Sequence, residues 1–454
     1  MVETIKRKKS DLFNTKIGAF LGNNKFFLFA LRIVVLTLFL TALGYGIYQP
    51  QIQQYHFSVG LFWSFFWPFF MVVSLGTFGS IFCGICPYGF LGKYISRIGL
   101  KKTMPKWMQN PLIGLTFLVI FYWILLYLFP NILKSPLVTV LFFTTFTLIA
   151  LISFFLFKDM SYCKYLCPIG SITTSFSKVS ATKLFTYQEA CLTCKGFECA
   201  KACPYHLSPF NFEKKNSMQE CKLCMECAHA CAAIGFSIQK PSEALFKIDK
   251  AAKKSHIWTY IIISCVASIA MILQNALGNS PISSKLPWKV IAKYFPQSFI
   301  SIEGLIVLLL AIMITCTFTI GAYKLASKIY PVDFQTLFFT AGYAIAPMVI
   351  FGGMAQTIPF FFTHYGSETL NGILILFDSS ATLSSSFIDK THPFLKVFAL
   401  LHFFGVFWGL WILKTRIKLK NLSNHGIGLF LLLGSYHFLY LSLIIFIMAV
   451  FILN

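Results

Sequence analysis

Long apolar segments alternate with short polar ones over most of the chain, and one long polar interval interrupts them. Nine apolar segments each come close to the ~20 residues with which an α-helix crosses a ~30 Å hydrocarbon core. They are 27–48, 61–82, 112–130, 137–157, 257–276, 302–323, 335–355, 395–413 and 428–452. The pattern predicts a mainly α, polytopic helical membrane protein of about nine spans, with 370–377 as an alternative re-entrant piece.

Polar segments divide the chain into four predicted regions. They are a basic N-terminus at 1–26, a four-helix membrane block at 27–157, a polar insert at 158–256 and a five-helix membrane block at 257–454. The first apolar segment follows basic residues and is long enough to span the bilayer, so we expect it to act as a signal anchor.

Composition and charge both fit a membrane protein. Hydrophobic residues make up 57% of the chain and charged residues 12%, which is typical of helices that face lipid or are buried in a bundle. The net charge of +23 is distributed among short loops, so we do not expect nucleic acid as a partner. A cytoplasmic N-terminus would place 31 of the 38 Lys and Arg residues in inner segments.

This charge bias predicts a multi-pass protein of the bacterial inner membrane, surrounded by lipid, whose N-terminus and insert are cytoplasmic. Arg32 is the exception, because it lies within the first predicted span. We expect its long side chain to reach the inner interface.

The polar insert carries eight cysteines in two runs, C-x2-C-x4-C-x3-C-P and C-x2-C-x2-C-x3-C. The first run is Cys191, Cys194, Cys199 and Cys203, and the second is Cys221, Cys224, Cys227 and Cys231. Two sets of four thiolates are what two [4Fe–4S] clusters require. Two zinc ribbons are the alternative, although zinc sites use separated C-x2-C pairs rather than runs of four. The spacing and the predicted reducing compartment favour metal over disulfides.

Two further cysteine pairs follow predicted spans. Cys83 and Cys86 lie in FCGICPYG, and Cys163 and Cys167 lie in YCKYLCPIG. In the predicted topology both pairs reach the inner membrane surface beside the insert. Three interpretations remain open: a third metal centre, a redox-active dithiol, or structural turns with reduced cysteines.

Helices that end in C-x3-C-P-x-G, followed by a cytoplasmic two-cluster ferredoxin insert, resemble the membrane polyferredoxin superfamily. Its members include NapH-type quinol dehydrogenase subunits, NosR regulators and CcoG/FixG/RdxA assembly proteins. The resemblance covers about residues 27–256, and the CPYG and CPIG endings are more similar to the NapH, NosR and YccM side. FCGICP is one residue shorter than the usual pattern.

The resemblance implies a small α+β ferredoxin-like insert and electron transfer at the membrane, with quinol oxidation or metal reduction as outlets. In two-cluster ferredoxins, three cysteines of one run and the last of the other share a cluster. Carried onto this chain, one cluster would use Cys191, Cys194, Cys199 and Cys231, and the other Cys221, Cys224, Cys227 and Cys203.

Two candidate sites fall in the C-terminal block. His402 and His437 lie in the last two predicted spans, where ionisable groups are functional candidates. They are potential ligands of a shared haem b or metal ion, or each hydrogen-bonds to a neighbouring helix. The segment 378–385 resembles the S-G-A-T-L-[ST]-S sequence around the flavin-bearing threonine of Nqr and Rnf complexes, which would make Thr382 an FMN attachment site. A plain Ser/Thr loop is the alternative.

The favoured function is an integral membrane iron–sulfur electron-transfer protein, acting between a cytoplasmic donor or the quinol pool and a membrane or periplasmic acceptor. A metal-reducing (Cu or Fe) factor that serves an oxidase or metal uptake is the alternative, followed by a redox sensor. As an oxidoreductase it would be a quinol dehydrogenase subunit or a metal reductase. A soluble ferredoxin or flavodoxin and a periplasmic redox or metal-binding protein are the expected partners. Basic residues of the insert would steer the soluble donor, or would instead only hold the insert inside or contact anionic lipid. They are Lys195, Lys201, Lys214, Lys215 and Lys222.

Overall fold

The computed structural model describes residues 7–51, 55–129, 131–212, 220–247, 252–295, 300–377, 385–390 and 392–453. Within these ranges eight helices are long and apolar enough to cross a membrane. They are Lys25–Tyr48, Phe57–Gly76, Pro136–Leu156, Lys254–Leu277, Ile302–Ile329, Phe334–Phe377, Pro393–Leu419 and Ser423–Phe451. A shorter apolar helix, Leu112–Leu128, occupies the predicted third span. The predicted mainly α, polytopic architecture is therefore confirmed.

The seventh predicted span is longer than expected. It belongs to a 44-residue helical segment, Phe334–Phe377, which also contains residues 370–377. The last part of this segment, Gly366–Phe377, buries Ser367 and Asn371. Glu368 accepts a hydrogen bond of 2.7 Å from Ser64. Residues 370–377 thus form the end of the helix Gly366–Phe377, and the re-entrant alternative for them stays a prediction.

The chain divides into two compact units whose boundaries fall inside the second and third predicted spans. The first unit contains Met1–Pro50, Val72–Leu115 and Thr139–Glu243, and the second contains Gln51–Met71, Thr116–Val138 and Ala244–Asn454. The four-helix block predicted at 27–157 therefore contributes to both units. The boundaries drawn from the sequence remain a prediction.

A two-stranded antiparallel sheet organises the insert, which belongs to the first unit. Strand β1 (Thr182–Thr186) precedes the cysteine runs and strand β2 (Ile234–Ile238) follows them, with Thr186 opposite Ile234. The chain therefore leaves β1 and enters β2 at the same end of the sheet. Cys191 and Cys231 lie just beyond that end. The pairing thus brings the first and last cysteines of the insert together.

The N-terminal segment anchors to the same sheet. The buried carboxylate of Asp11 accepts a hydrogen bond of 3.1 Å from the backbone N–H of Phe236. Arg7 binds Asp11 at 2.8 Å and also donates to the carbonyl of Ala232. The basic N-terminus is therefore an integral part of the insert's structure.

Helices after Ala244, together with Gln51–Met71 and Thr116–Val138, form the second unit. Several of its buried polar side chains bond backbone carbonyls of other helices. Arg416 donates to the carbonyls of Phe339, Thr340 and Leu245 at 3.0–3.1 Å. Two of these carbonyls end the helix Phe334–Gly342, so Arg416 acts as a C-terminal cap.

Candidate functional site

Twelve of the fourteen cysteines lie in the first unit, and they form three groups. We call the first group the distal quartet; it consists of Cys191, Cys194, Cys199 and Cys231. Burial raises the pKa of Cys191, and the neighbouring thiols of Cys231 and Cys194 raise it further. Burial, followed by Cys231 and then Cys191, raises the pKa of Cys199 to about 11. Such coupling requires that these thiols lie close together.

The second group, the proximal quartet, consists of Cys203, Cys221, Cys224 and Cys227. Burial and then the charge of Cys203 raise the pKa of Cys221 to about 12. Burial also raises the pKa of Cys224, with Cys203 and Cys221 adding to it. Burial raises the pKa of Cys227, and the charges of its three partners and of Cys199 in the distal quartet raise it further. The distal and proximal quartets are therefore adjacent.

The third group, the span-end quartet, unites the two C-P motifs and consists of Cys83, Cys86, Cys163 and Cys167. Burial raises the pKa of Cys86, and the charges of Cys167 and Cys83 raise it further. Burial also raises the pKa of Cys163. The charges of Cys167, Cys86 and Cys83 add to this rise, with Cys167 contributing most. Burial and the charge of Cys83 raise the pKa of Cys167 to about 11. Four thiols from distant parts of the chain thus lie together, with Cys163 buried and the other three partly exposed.

Both C-P motifs place their second cysteine at the start of a helix. Cys86 is the N-cap of Pro87–Ile98, and Cys167 is the N-cap of Pro168–Phe176. Proline suits the first helical position because its fixed φ matches the helix and it lacks the N–H that would be unpaired there. The N–H of Gly170 donates to Cys167 Sγ at 3.3 Å. Amide donors and the positive end of the helix favour a thiolate at each position.

The glycine of each motif is required by a close backbone approach. A Cβ atom at Gly170 would lie 2.1 Å from the carbonyl oxygen of Cys163, and one at Gly89 would lie 3.1 Å from that of Cys83. Glycine therefore lets the first cysteine of each pair lie against the helix that the second cysteine begins.

A π-helical turn accounts for the unequal spacing of the two pairs. The turn Tyr162–Leu166 contains Cys163, and the Cys167 N–H donates to the carbonyl of Tyr162, five residues earlier, at 2.8 Å. Cys83 instead lies in the α-helical turn Ile81–Ile85. The π turn takes up the additional residue, so the shorter FCGICP motif still brings Cys83 into the quartet.

Arg32 joins the span-end and proximal quartets. Its buried guanidinium donates to the carbonyl of Gly84 at 3.0 Å and to that of Cys224 at 2.6 Å. It also pairs with Glu226 at 2.7 Å, and Lys93 binds the same carboxylate at 3.0 Å. The Arg32 side chain, which we expected to reach the inner interface, thus bonds the insert, where its charge serves the contact between the two cysteine loops.

Tyr205 lies between the same two quartets. This buried side chain follows Cys203 and Pro204, and its backbone carbonyl accepts a hydrogen bond of 2.9 Å from Lys164. Burial raises the pKa of Tyr205, and thiols of both quartets raise it further. Those thiols are Cys163, Cys224, Cys83 and Cys86. No sequence pattern marked Tyr205, although its place directly after C-P is a usable signal.

The basic residues of the insert do not form one surface. Lys195 and Lys201 are exposed, and Lys201 lies 3.8 Å from Glu198. Lys222 is only 1% exposed, so the expectation that it steers a soluble partner is wrong. Lys214 and Lys215 lie outside the described residues.

In the part of the chain that the structure describes, no three His, Cys, Asp or Glu side chains are placed to hold a single metal ion. A tetrahedral zinc site, with Zn–S bonds of about 2.3 Å, would require its sulfurs to be in contact. A four-iron cluster binds each cysteine to a different iron, so its sulfurs lie farther apart. Four neighbouring thiols, with an amide donor at Cys167, therefore fit a cluster better than a single ion.

His402 and His437 do not share a site. His402 Nδ1 bonds with the Tyr440 hydroxyl at 2.7 Å, whereas His437 Nε2 bonds with the carbonyl of Ala344 at 3.0 Å. His437 lies against Gly409, seven residues beyond His402 on the same helix, which is ~10 Å at 1.5 Å per residue. The haem or metal expectation for this pair is not supported, because each imidazole bonds a different helix. Thr382, the flavin candidate, lies outside the described residues.

Two segments of the chain match a known protein family. A family described as a 4Fe-4S binding domain matches residues 59–105 and 138–184. These two segments contain the span-end quartet, and all eight insert cysteines lie beyond them. The family match therefore covers the two C-P motifs and not the cysteine runs of the insert.

Three relatives match about a third of the chain. The uncharacterized protein MJ0750 of Methanocaldococcus jannaschii is 31% identical over 186 residues, which is 37% of this chain and 76% of MJ0750. YccM of Escherichia coli, provisionally named an electron transport protein, is 30% identical over 38% of this chain and 55% of its own length. MJ0749 of the same archaeon is 28% identical over 35% and 65%. No solved structure matches the chain.

Proposed function

Since the chain belongs to the polyferredoxin-like superfamily of membrane 4Fe–4S proteins, we propose that it carries electrons along three iron–sulfur centres in a row. One observation carries the proposal: the three quartets are successive neighbours within one compact unit. Cys227 and Cys199 link the distal and proximal quartets, and Arg32 and Tyr205 link the proximal and span-end quartets.

Bound clusters would supply one-electron transfer, because each [4Fe–4S] group gains or loses one electron at a time. The protein would supply the ligands of the clusters and the surroundings that set their potentials. Four thiols at each quartet would act as ligands, the backbone N–H of Gly170 donates to Cys167 Sγ, and half of the thiols of the two inner quartets are buried. These are the means by which a protein sets the potential of an iron–sulfur centre.

The two ends of the row suit different partners. Around the distal quartet, Leu192 is 86% and Phe197 is 44% exposed, which leaves this end open to a soluble electron donor. The span-end quartet instead follows two membrane helices directly. With the insert in the cytoplasm, as the Lys and Arg bias favours, the distal end meets a cytoplasmic ferredoxin or flavodoxin. The span-end centre then meets the quinone pool or a membrane acceptor.

Iron and acid-labile sulfide, counted on anaerobically purified protein, test this proposal. Three four-iron clusters amount to about twelve irons per chain. Replacing one thiol of each quartet in turn, as in Cys199→Ser, Cys227→Ser and Cys86→Ser, is expected to remove about four irons each. Cys316→Ser, an exposed cysteine outside the quartets, is the matched control and is expected to lose none.

About eight irons in both the wild type and Cys86→Ser would reject the span-end centre and leave the two insert clusters standing. An assembled protein without iron would reject the function as a whole.

A further inference from the structure

Lys222 is a buried cation within the loop of the proximal quartet, where it lies between Cys221 and Cys224. Its side chain extends away from that loop to the helix Pro168–Phe176. The ammonium donates to the Gly170 carbonyl at 2.7 Å and to the hydroxyls of Thr173 and Thr174 at 3.1 and 2.5 Å. The helix it reaches is the one that Cys167 of the span-end quartet begins.

No carboxylate in the described part of the chain pairs with Lys222, and its three acceptors are uncharged. The other buried cation at this contact, Arg32, shares Glu226 with Lys93. Burying an ammonium is costly unless negative charge lies nearby. The anionic quartets on either side are the available source of that charge.

Lys222 faces both inner quartets. Thr173 Oγ1, which accepts from the ammonium, lies 3.6 Å from Cys83 Sγ. Lys222 follows Cys221 directly in the chain, and Gly170, whose carbonyl accepts from the ammonium, donates its N–H to Cys167 Sγ. One positive charge therefore lies beside the ligand loops of both the proximal and the span-end quartets.

We propose that Lys222 tunes both inner centres, its buried ammonium raising the reduction potentials of the proximal and span-end clusters relative to the distal cluster. The inference rests on the proposed function, because it requires clusters at these quartets. Each reduction adds one electron to a centre, and a fixed positive charge in a low-dielectric site stabilises that added charge. Electrons that enter at the distal quartet are thereby drawn inward.

The test is an anaerobic redox titration of the full-length protein, followed by electron paramagnetic resonance. In Lys222→Gln, we expect the reduced-to-oxidised ratio of both inner centres at a given potential to fall about tenfold, which for a one-electron couple is about 59 mV. The distal centre should not move, and Lys222→Arg should remain near the wild type. Lys201→Gln is the control, because its side chain is 70% exposed and solvent screens its charge.

A second variant guards against poor assembly of Lys222→Gln. Thr174→Asp leaves Lys222 in place and puts a carboxylate beside it at a half-buried position, so it should lower the same two potentials. Unchanged inner potentials in either variant, with a full iron content, would overturn the proposal. A wild type without clusters would instead reject the proposed function, so the two failures are distinguishable.

Discussion

The two compact units use buried polar groups in different ways. In the second unit, Arg416 donates to carbonyls at a helix end, and His402 bonds the Tyr440 hydroxyl of a neighbouring helix. In the first unit, Arg32 donates to the Cys224 carbonyl of one cysteine loop, and Lys222 extends from that loop to the helix that Cys167 begins. The difference teaches that a buried charge marks a candidate site when it converges with other reactive groups. A buried charge that only completes a helix end indicates structure.

The largest effect is expected from Gly170→Ala. Its Cβ would lie 2.1 Å from the backbone oxygen of Cys163, so either the π turn or the helix start must move. We expect the span-end quartet to lose about four irons, as measured by iron analysis. Gly44→Ala, at a position with no atom within 4 Å, is the control and should keep all of its iron. An iron-replete Gly170→Ala would show that the motif glycine is not needed.

Arg32→Met and Arg416→Met compare a buried arginine of each unit. Arg32→Met leaves Glu226 without one partner and cuts the link to Cys224, so the free energy of unfolding should fall by about 3 kcal/mol. Arg416→Met should cost a similar amount through its three unpaired carbonyls.

The two arginine variants should differ in the stage of unfolding at which they lose their clusters. In thermal unfolding followed by cluster absorbance, Arg32→Met should lose its clusters before global unfolding, whereas Arg416→Met should lose them with it. If both variants lost their clusters at the same stage of unfolding, the buried arginines of the two units would not differ in role.

His402→Phe tests whether the second unit carries a cofactor. The variant should lose about 1–3 kcal/mol of stability, because the buried Tyr440 hydroxyl loses its hydrogen-bond partner. Its iron content and pyridine haemochrome spectrum should match those of the wild type. Loss of a haem signal in this variant would contradict our assignment of a structural role to His402.

Thr173→Val is expected to have the smallest effect. It removes the hydroxyl that lies 3.6 Å from Cys83 Sγ but leaves Lys222 two other acceptors. The potential of the span-end centre should fall by less than in Lys222→Gln, and the proximal centre should barely change. A redox titration measures both values, and an equal shift at both centres would refute a local role for this hydroxyl.

Hydropathy was sufficient to predict most of the helices. The span predicted at 302–323 corresponds to Ile302–Ile329, because its apolar residues run without interruption. The span predicted at 335–355 lies within the helical segment Phe334–Phe377, whose last part buries the polar residues Ser367 and Asn371. Hydropathy cannot separate a polar residue that meets a neighbouring helix from one that meets water.

The candidate site was only partly predictable. Cysteine spacing singled out all twelve thiols of the three quartets, because thiolates at such intervals have few structural uses. Spacing alone could not show that Cys83 and Cys163 converge, since a π turn compensates for their different motifs. Lys222 was expected at the surface because a lysine in a polar segment usually lies there.

Electron transfer through the row tests the central claim most directly. The protein would be reconstituted in vesicles that contain a quinone analogue, and chemically reduced flavodoxin would be added in water. The wild type should reduce the quinone. Cys86→Ser, which should keep the eight irons of the insert, should fail to do so. Quinone reduction at the wild-type rate by a Cys86→Ser protein that has lost its span-end iron would contradict the account.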